Sequence, residues 1–419
     1  MDRREILKYS VGGALWASMS SPVYANQKKL GRVVIIGAGY GGATAAKYLR
    51  MWSGGKIEVF VIEPNPHFVS CPVSNLVLGG EKTLDDITLP YDLLKHNHGI
   101  HWIQDKVVAI DPDKAEVRFT KGKLSYDKLI VATGIDFMYE SMPTLNNKEA
   151  QEKIPHAWKA GPQTQNLRNQ LLAMPDGGVF AITIPALPYR CPPGPYERAC
   201  QVAFYLKNHK PKSKVLVLDA NPAITSKRPL FERAWLDLYP GMVEYIPSSS
   251  IQDIDVATRT VKTDFDKVKS DVLNVIPPQR ASVLTIDTGL ANVSRRWCEV
   301  DFLTYESTVF PNIHVIGDAV DSGLPKSAHI ATSQAKVCAN ALAFMMGNEK
   351  PDPAPVFANT CYSYADDKTA MHVTTVYRYD AAEKLMKSSP GGGISAHASS
   401  QEFADAQYWA LNIWADVLT

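Results

Sequence analysis

The chain has 419 residues, 45% of them hydrophobic and 21% charged, with 26 glycines and 28 prolines. That length exceeds what one ordinary core supports, so two or three domains are expected, and the composition excludes a disordered or low-complexity protein. A formal net charge of +1 gives no reason to expect a nucleic-acid partner.

Residues 1–25 carry Arg3-Arg4, a short apolar stretch broken by serine and glycine, and the small-residue tripeptide Val23-Tyr24-Ala25 ahead of Asn26. That order is the pattern of a removable export signal, here of the twin-arginine type, which serves proteins that fold around a cofactor before crossing a membrane. The apolar part falls short of the about 20 residues a spanning helix needs. The expectation is a periplasmic protein, loaded with its cofactor and without stable membrane insertion.

Next comes RVVIIGAGYGGATAAKYLR, in which Gly37-x-Gly39-x-x-Gly42 follows a buried-looking strand and opens an Ala-rich helix. Glycines at that spacing turn the chain tightly and let backbone approach a pyrophosphate, while the helix N-terminus favours its negative charge. A second strand, KIEVFVIE, ends at Glu63, where a carboxylate accepts from ribose hydroxyls and so favours an unphosphorylated ribose. Tyr40 in the glycine loop and Val107 at the head of VVAID join the expected cofactor-binding set, as does Gly134, which closes KLIVATG.

Residues 178–219 repeat the plan of strand, loop, helix and strand: GVFAITI, PALPYRCPPGP, YERACQVAFYLKNH and KVLVLD. Prolines at 185, 188, 192, 193 and 195 remove backbone donors from the loop, so this unit is expected to lack a working NAD site. Cys191 stands just ahead of the helix, a position that lowers a thiol pKa, and Glu197 in the first turn can cap the helix or relay a proton. The basic run from Lys207 to Lys214 reads as a solvated turn.

Further on, NIHVIGDAV places Gly317 and Asp318 after another strand, and PKSAHIATSQAKVCANAL starts a helix near Ser327 with Lys326 beside it. Lys326 at that N-terminus would put positive potential beside a reduced cofactor ring. The last residues, QEFADAQYWALNIWADVLT, have helical apolar spacing around Trp409. None of the six cysteines lies in a CxxC or CxxCH pattern, which excludes a c-type haem attached to this chain and leaves no expected metal site. From the residues alone, a Cys191–Cys200 pair is as defensible as any other.

Several segments together resemble the flavoprotein subunit of flavocytochrome c sulfide dehydrogenase, with the sulfide:quinone oxidoreductases and the pyridine nucleotide-disulfide oxidoreductase-like flavoproteins as more distant relatives. They are GAGYGGATAAKYL, CPVSN at Cys71, IPHAWKAG, RCPPGPYERA, LKNHKPKSKV, NVIPPQRA, HVIGDA, PKSA and NTCYS, spread over nearly the whole chain after the signal. The resemblance implies an α/β fold with two Rossmann-like domains of the glutathione-reductase-like flavoprotein type and an α+β C-terminal domain. Its divisions are an export signal at 1–25, an FAD-binding domain at 26–145 and 283–350, a second Rossmann-like domain at 146–282, and a flavocytochrome c type domain at 351–419.

The resemblance further implies FAD, bonded covalently through Cys71, with Asp318 on its ribityl chain and Trp409 near the ring. Cys191 and Cys361 would form the redox disulfide, with Glu197 counted among the catalytic groups, while Cys200, Cys298 and Cys338 read as packing residues. The implied activity is sulfide oxidation. Hydrosulfide attacks the disulfide, and electrons pass through FAD one at a time to a c-type cytochrome subunit that carries the haem, with zero-valent sulfur or polysulfide released. The alternatives are a membrane-associated sulfide:quinone oxidoreductase and a non-catalytic flavoprotein accessory of a sulfur-oxidation system.

Overall fold

The computed structural model describes residues 29–419; the signal expected at 1–25 lies outside them. The principal elements begin with β1 (Gly31–Ile36), α1 (Tyr40–Trp52), β2 (Ile57–Ile62), β3 (His101–Ile103) and β4 (Lys128–Val131). A second series follows: β5 (Val179–Ile184), α2 (Gly194–His209), β6 (Lys214–Asp219), α3 (Arg228–Leu238), β7 (Val243–Ile246) and β8 (Val272–Val275). The chain returns through β9 (Ile313–Val315) and α4 (Ala328–Met346). It ends in β10 (Val356–Tyr364), β11 (Ala370–Asp380), β12 (Leu385–Ile394) and α5 (Ser400–Leu418).

Three sheets organise these elements. The first is parallel in the order β9–β4–β1–β2–β3. Its central strand is a Val/Ile run with Val33, Val34 and Ile35 fully buried, as expected of a strand covered on both faces. Helices α1 and α4 pack on each other beside it. The second sheet is parallel in the order β7–β6–β5–β8, and the third is the antiparallel meander β10–β11–β12 with α5 against it. This is the α/β architecture expected from the sequence: two Rossmann-like units and a C-terminal unit rich in strand. The loops after β1, β4, β5 and β9 leave the carboxyl ends of parallel strands, where open α/β sheets bind ligands.

In the second unit the carboxylate at the end of β6 is fully engaged by its neighbours. Asp219, at the end of β6 and fully buried, accepts from the hydroxyls of Tyr196 (2.7 Å) and Tyr245 (3.0 Å) and from Asn221 N (2.9 Å) and Nδ2 (2.7 Å). Asn221 also braces the proline loop, accepting from Leu187 N (3.1 Å) and donating to Pro185 O (3.0 Å). The basic run after α2 departs from the expected solvated turn at one residue. The Lys210 ammonium is buried and donates to the carbonyls of Leu171 (2.8 Å), Leu172 (2.7 Å) and Met174, tying that turn to the neighbouring helix end.

Candidate functional site

One cavity of about 650 Å³ runs from the glycine turn to the cysteines, within the range of cofactor pockets. At its first end Gly37 has φ +91, and a Cβ there would meet the Ala132 carbonyl oxygen at 2.8 Å. A Cβ on Gly42 would fall 1.8 Å from Gly37 O, whereas one on Gly39 would meet nothing within 4 Å. Gly37 and Gly42 are thus required by the turn itself, while Gly39 opens onto the cavity. Glu63 is buried, takes the Ala38 N–H on one carboxylate oxygen (2.8 Å) and Asn65 N (2.8 Å) and Nδ2 (2.6 Å) on the other, and lines the same space. Tyr40, Gly134, Gly317 and Asp318 line it too. Tyr40 is fixed by hydrogen bonds with Ser70 Oγ (2.6 Å) and Trp414 Nε1 (3.0 Å).

At the other end the cavity is lined by Cys71, Cys191, Cys361, Glu197 and Trp409. The three cysteines arrive from different parts of the fold: Cys71 from the loop after β2, Cys191 from the loop after β5, and Cys361 from β10. Cys191 and Cys361 are thiols here, in side-chain hydrogen-bond contact with each other. The fold thus brings together two cysteines that are remote in the sequence. Cys200 is buried within α2 and its thiol contacts Trp235, and Cys298 and Cys338 are likewise fully buried.

The backbone is held against its preferences around this end. Val73 (φ 73), Ala157 (φ 45) and Cys191 (φ 57) are left-handed residues with a Cβ, a conformation that persists only where surrounding contacts impose it. For Cys191 those contacts are its N–H on Lys326 O (2.7 Å) and its carbonyl on Gly194 N (2.9 Å).

The electrostatics differ from the expectation at Cys191. Its thiol is pushed well up, by its hydrogen bond to Cys361, by burial and by Glu197, while Cys361 is pulled down to about 6 by the Cys191 hydrogen bond and the charge of Lys227. The Lys227 ammonium lowers both thiols but is anchored on the main chain of Cys361. Burial raises the Glu197 carboxyl, in the first turn of the helix after Cys191, to about 8, against the opposing charge of Lys227. Hydrogen bonds from Asn75 and from the Tyr364 backbone oppose that rise.

Two arginines that sequence reasoning did not single out complete the wall. Arg198 is 2% exposed and forms no ion pair with a carboxylate among the described residues. It donates to Asn75 Oδ1 (3.1 Å), Asn274 Oδ1 (2.8 Å), His156 O (2.9 Å) and Ala157 O (2.6 Å) and lies 4.7 Å from the Trp158 ring centroid. Burial lowers its pKa to about 9. Arg190 stands between Cys71 and Asp318, with Nε 4.0 Å from Asp318 Oδ2 and a hydrogen bond to the Cys71 side chain. Both arginines lie inside RCPPGPYERA, the segment that carried the family resemblance, which was the available signal.

Two expected cofactor contacts are placed elsewhere. Val107 is buried in the hydrophobic core. Lys326 turns its ammonium onto Asp318 O and Val320 O (2.8 Å each) and over the Trp297 ring (3.7 Å). Its side chain therefore buttresses the Gly317–Val320 turn, and its carbonyl holds Cys191. Among the described residues no group of three or more His, Cys, Asp or Glu side chains is arranged to hold a metal ion.

The glycine turn, the ribose carboxylate and a cavity joining them to a cysteine pair fit FAD, and they define a flavin-dependent oxidoreductase of the pyridine nucleotide-disulphide oxidoreductase class. Residues 31–172 match the model of that class, residues 164–277 match the central part of the sulfide dehydrogenase [flavocytochrome c] flavoprotein chain, and residues 353–418 match the flavin-binding part of flavocytochrome c sulphide dehydrogenase. The sulfide dehydrogenase [flavocytochrome c] flavoprotein chain of Chlorobaculum thiosulfatiphilum is 52% identical over 46 residues, 11% of this chain and 94% of that sequence. The mitochondrial sulfide:quinone oxidoreductase of Mus musculus is 24% identical over 344 residues, 76% of this chain and 72% of that one. The solved sulfide:quinone oxidoreductase from Aquifex aeolicus shares the fold with a TM-score of 0.71 at 19% identity, covering 92% of each chain. The chain belongs to the family of sulfide dehydrogenase [flavocytochrome c] flavoprotein chains.

Proposed function

We propose that this flavoprotein oxidises hydrosulfide at a Cys191–Cys361 disulfide and passes the electrons through FAD to a c-type cytochrome subunit in the periplasm. The observation that carries this reading is the contact between two sulfurs from remote segments, in the same cavity as the glycine turn. Hydrosulfide entering there meets the positive charge of Arg190 and Arg198, which line the cavity, with the Lys227 ammonium buried behind Cys361. Attack on one sulfur forms a persulfide and releases the other as thiolate. Glu197, buried and protonated below about pH 8, is placed to hold or deliver a proton beside the pair.

The residues that would hold FAD are Gly37 and Gly39 with the α1 N-terminus on the pyrophosphate, Glu63 on the ribose, Asp318 on the ribityl chain and Cys71 through a covalent bond. When bound, FAD supplies an acceptor that takes an electron pair and releases electrons singly, as a haem requires. Trp409 lines the cavity from the C-terminal helix, which would also border the docking face of a cytochrome in a heterodimer. The engaged Asp219 favours a chain that takes no electrons from NADH. No helix among the described residues is long and apolar enough to cross a membrane.

Anaerobic mixing with sulfide tests the reading. The wild-type protein should lose its flavin absorbance, and Cys191→Ser and Cys361→Ser should each slow that loss at least about a thousandfold. Flavin that bleaches equally fast in both variants would refute it. Cytochrome c and a soluble quinone offered as competing acceptors decide the acceptor. Acid denaturation followed by intact and peptide mass decides the Cys71 bond.

A further inference from the structure

The two sulfurs of the pair sit in unlike surroundings, and the difference originates in a residue that does not line the cavity. Lys227 precedes α3 with φ +54, a left-handed conformation for a residue with a long side chain. Its ammonium is buried and reaches across the fold to β10, donating to Cys361 O (2.9 Å) and Ser363 Oγ (2.8 Å). Ser363 is fully buried, so the anchoring is rigid. The charged and titratable groups facing Lys227 are Cys361, Cys191, Glu197 and Glu402. Those facing Cys191 are Cys361, Glu197 and Lys227, with Arg190 and Arg198 behind it. Glu197 and Lys227 each face both sulfurs, but the ammonium is fixed to the main chain of Cys361 alone.

We infer that Lys227 is a positioning residue that sets the direction in which the disulfide opens: hydrosulfide attacks the Cys191 sulfur, and Cys361 leaves as the thiolate beside the ammonium. This rests on the redox-disulfide reading above. A bond forms between the hydrosulfide sulfur and Cys191 Sγ as the Cys191–Cys361 bond breaks. The electron pair of the broken bond stays on Cys361, and the proton stays on the terminal sulfur. One anion enters, and one thiolate and one neutral persulfide result. A thiol that is more stable as its anion leaves faster in such an exchange. The opposite direction would expel a Cys191 thiolate while the ammonium stays tied to the main chain of Cys361.

The test uses the purified oxidised flavoprotein and one equivalent of sodium hydrosulfide, with rapid acid quench before the flavin bleaches, then alkylation and peptide mapping. The persulfide should be found on the Cys191 peptide and the alkylated thiol on the Cys361 peptide. In the reduced protein, the pH midpoint for alkylation of Cys361 should rise by at least about one unit in Lys227→Met, and Lys227→Arg should stay near wild type. A persulfide on Cys361 in the wild type overturns the inference whatever the variants do, and so does an unmoved midpoint in a folded Lys227→Met protein. Absence of any Cys191–Cys361 link in the oxidised wild type would instead defeat the parent reading.

Discussion

Glu197 illustrates how a single buried side chain acquires its chemistry from its neighbours. Burial raises its pKa from 4.5 to about 8, so the folded protein holds a proton there that the unfolded chain releases. Stability from this group is fully present below about pH 4.5 and is lost as pH rises through about 8. Glu197→Gln should flatten that part of the stability profile, measured as melting temperature against pH between 5 and 9, and should also remove an alkaline limb near pH 8 from sulfide-dependent reduction. An unchanged profile in both measurements would show that the carboxyl is already ionised in the fold. At this scale the residues themselves pointed to Cys191 and Glu197 by their place at a helix start, whereas Cys71 and Cys361 were named only through family resemblance. The thiol shift at Cys191 was misjudged, since the ammonium that decides it comes from Lys227, with no local motif to announce it. Lys326 was misplaced for a similar reason: adjacency to a helix start does not say where four methylenes carry a charge.

Among the elements, the turn from β1 into α1 separates two uses of glycine. Gly42→Ala places a methyl against the Gly37 carbonyl, so it should lower the melting temperature and strip FAD together. The Cβ of Gly39→Ala meets no protein atom within 4 Å, so this change should keep the apoprotein melting point within a few degrees while weakening FAD binding at least about tenfold by fluorescence titration. A large loss of apoprotein stability in Gly39→Ala would contradict the assignment of that open space to the cofactor. The second unit yields a companion prediction. Tyr196→Phe and Tyr245→Phe each remove one donor from the buried Asp219 carboxylate and should destabilise by about 1–3 kcal/mol in denaturant unfolding. NADH should leave the flavin spectrum of the wild type unchanged. The strands and helices here were legible as Val/Ile runs and apolar periodicity, and the proline loop was legible as a loss of donors. The closure over Asp219 was not, because Tyr245 arrives from a strand well beyond the motif.

For the whole molecule, the decisive feature is that three segments must meet before any chemistry exists. Arg198 contributes to that meeting. From α2 it bonds Asn75 in the first unit, Asn274 on β8 and two carbonyls at His156 and Ala157. Arg198→Met should therefore leave several buried acceptors without donors, costing about 1–3 kcal/mol or more in unfolding experiments and loosening FAD. Retention of full stability would mean that the units hold together without it. Class and architecture were readable from repeated strand, loop and helix units, whereas the joining of Cys191 to Cys361 was readable only through family likeness. No local pattern links residues so far apart in the chain, and their distance is set by how β10 crosses the mouth of α2.

The most direct test of the central claim is non-reducing peptide mapping of the oxidised protein, before and after stoichiometric hydrosulfide. A Cys191 peptide joined to a Cys361 peptide, opened by hydrosulfide with the gain of one sulfur atom before the flavin bleaches and closed again as the flavin takes up the electron pair, is the predicted result. Two freely alkylated thiols in the oxidised protein, with sulfide still reducing the flavin, would contradict it.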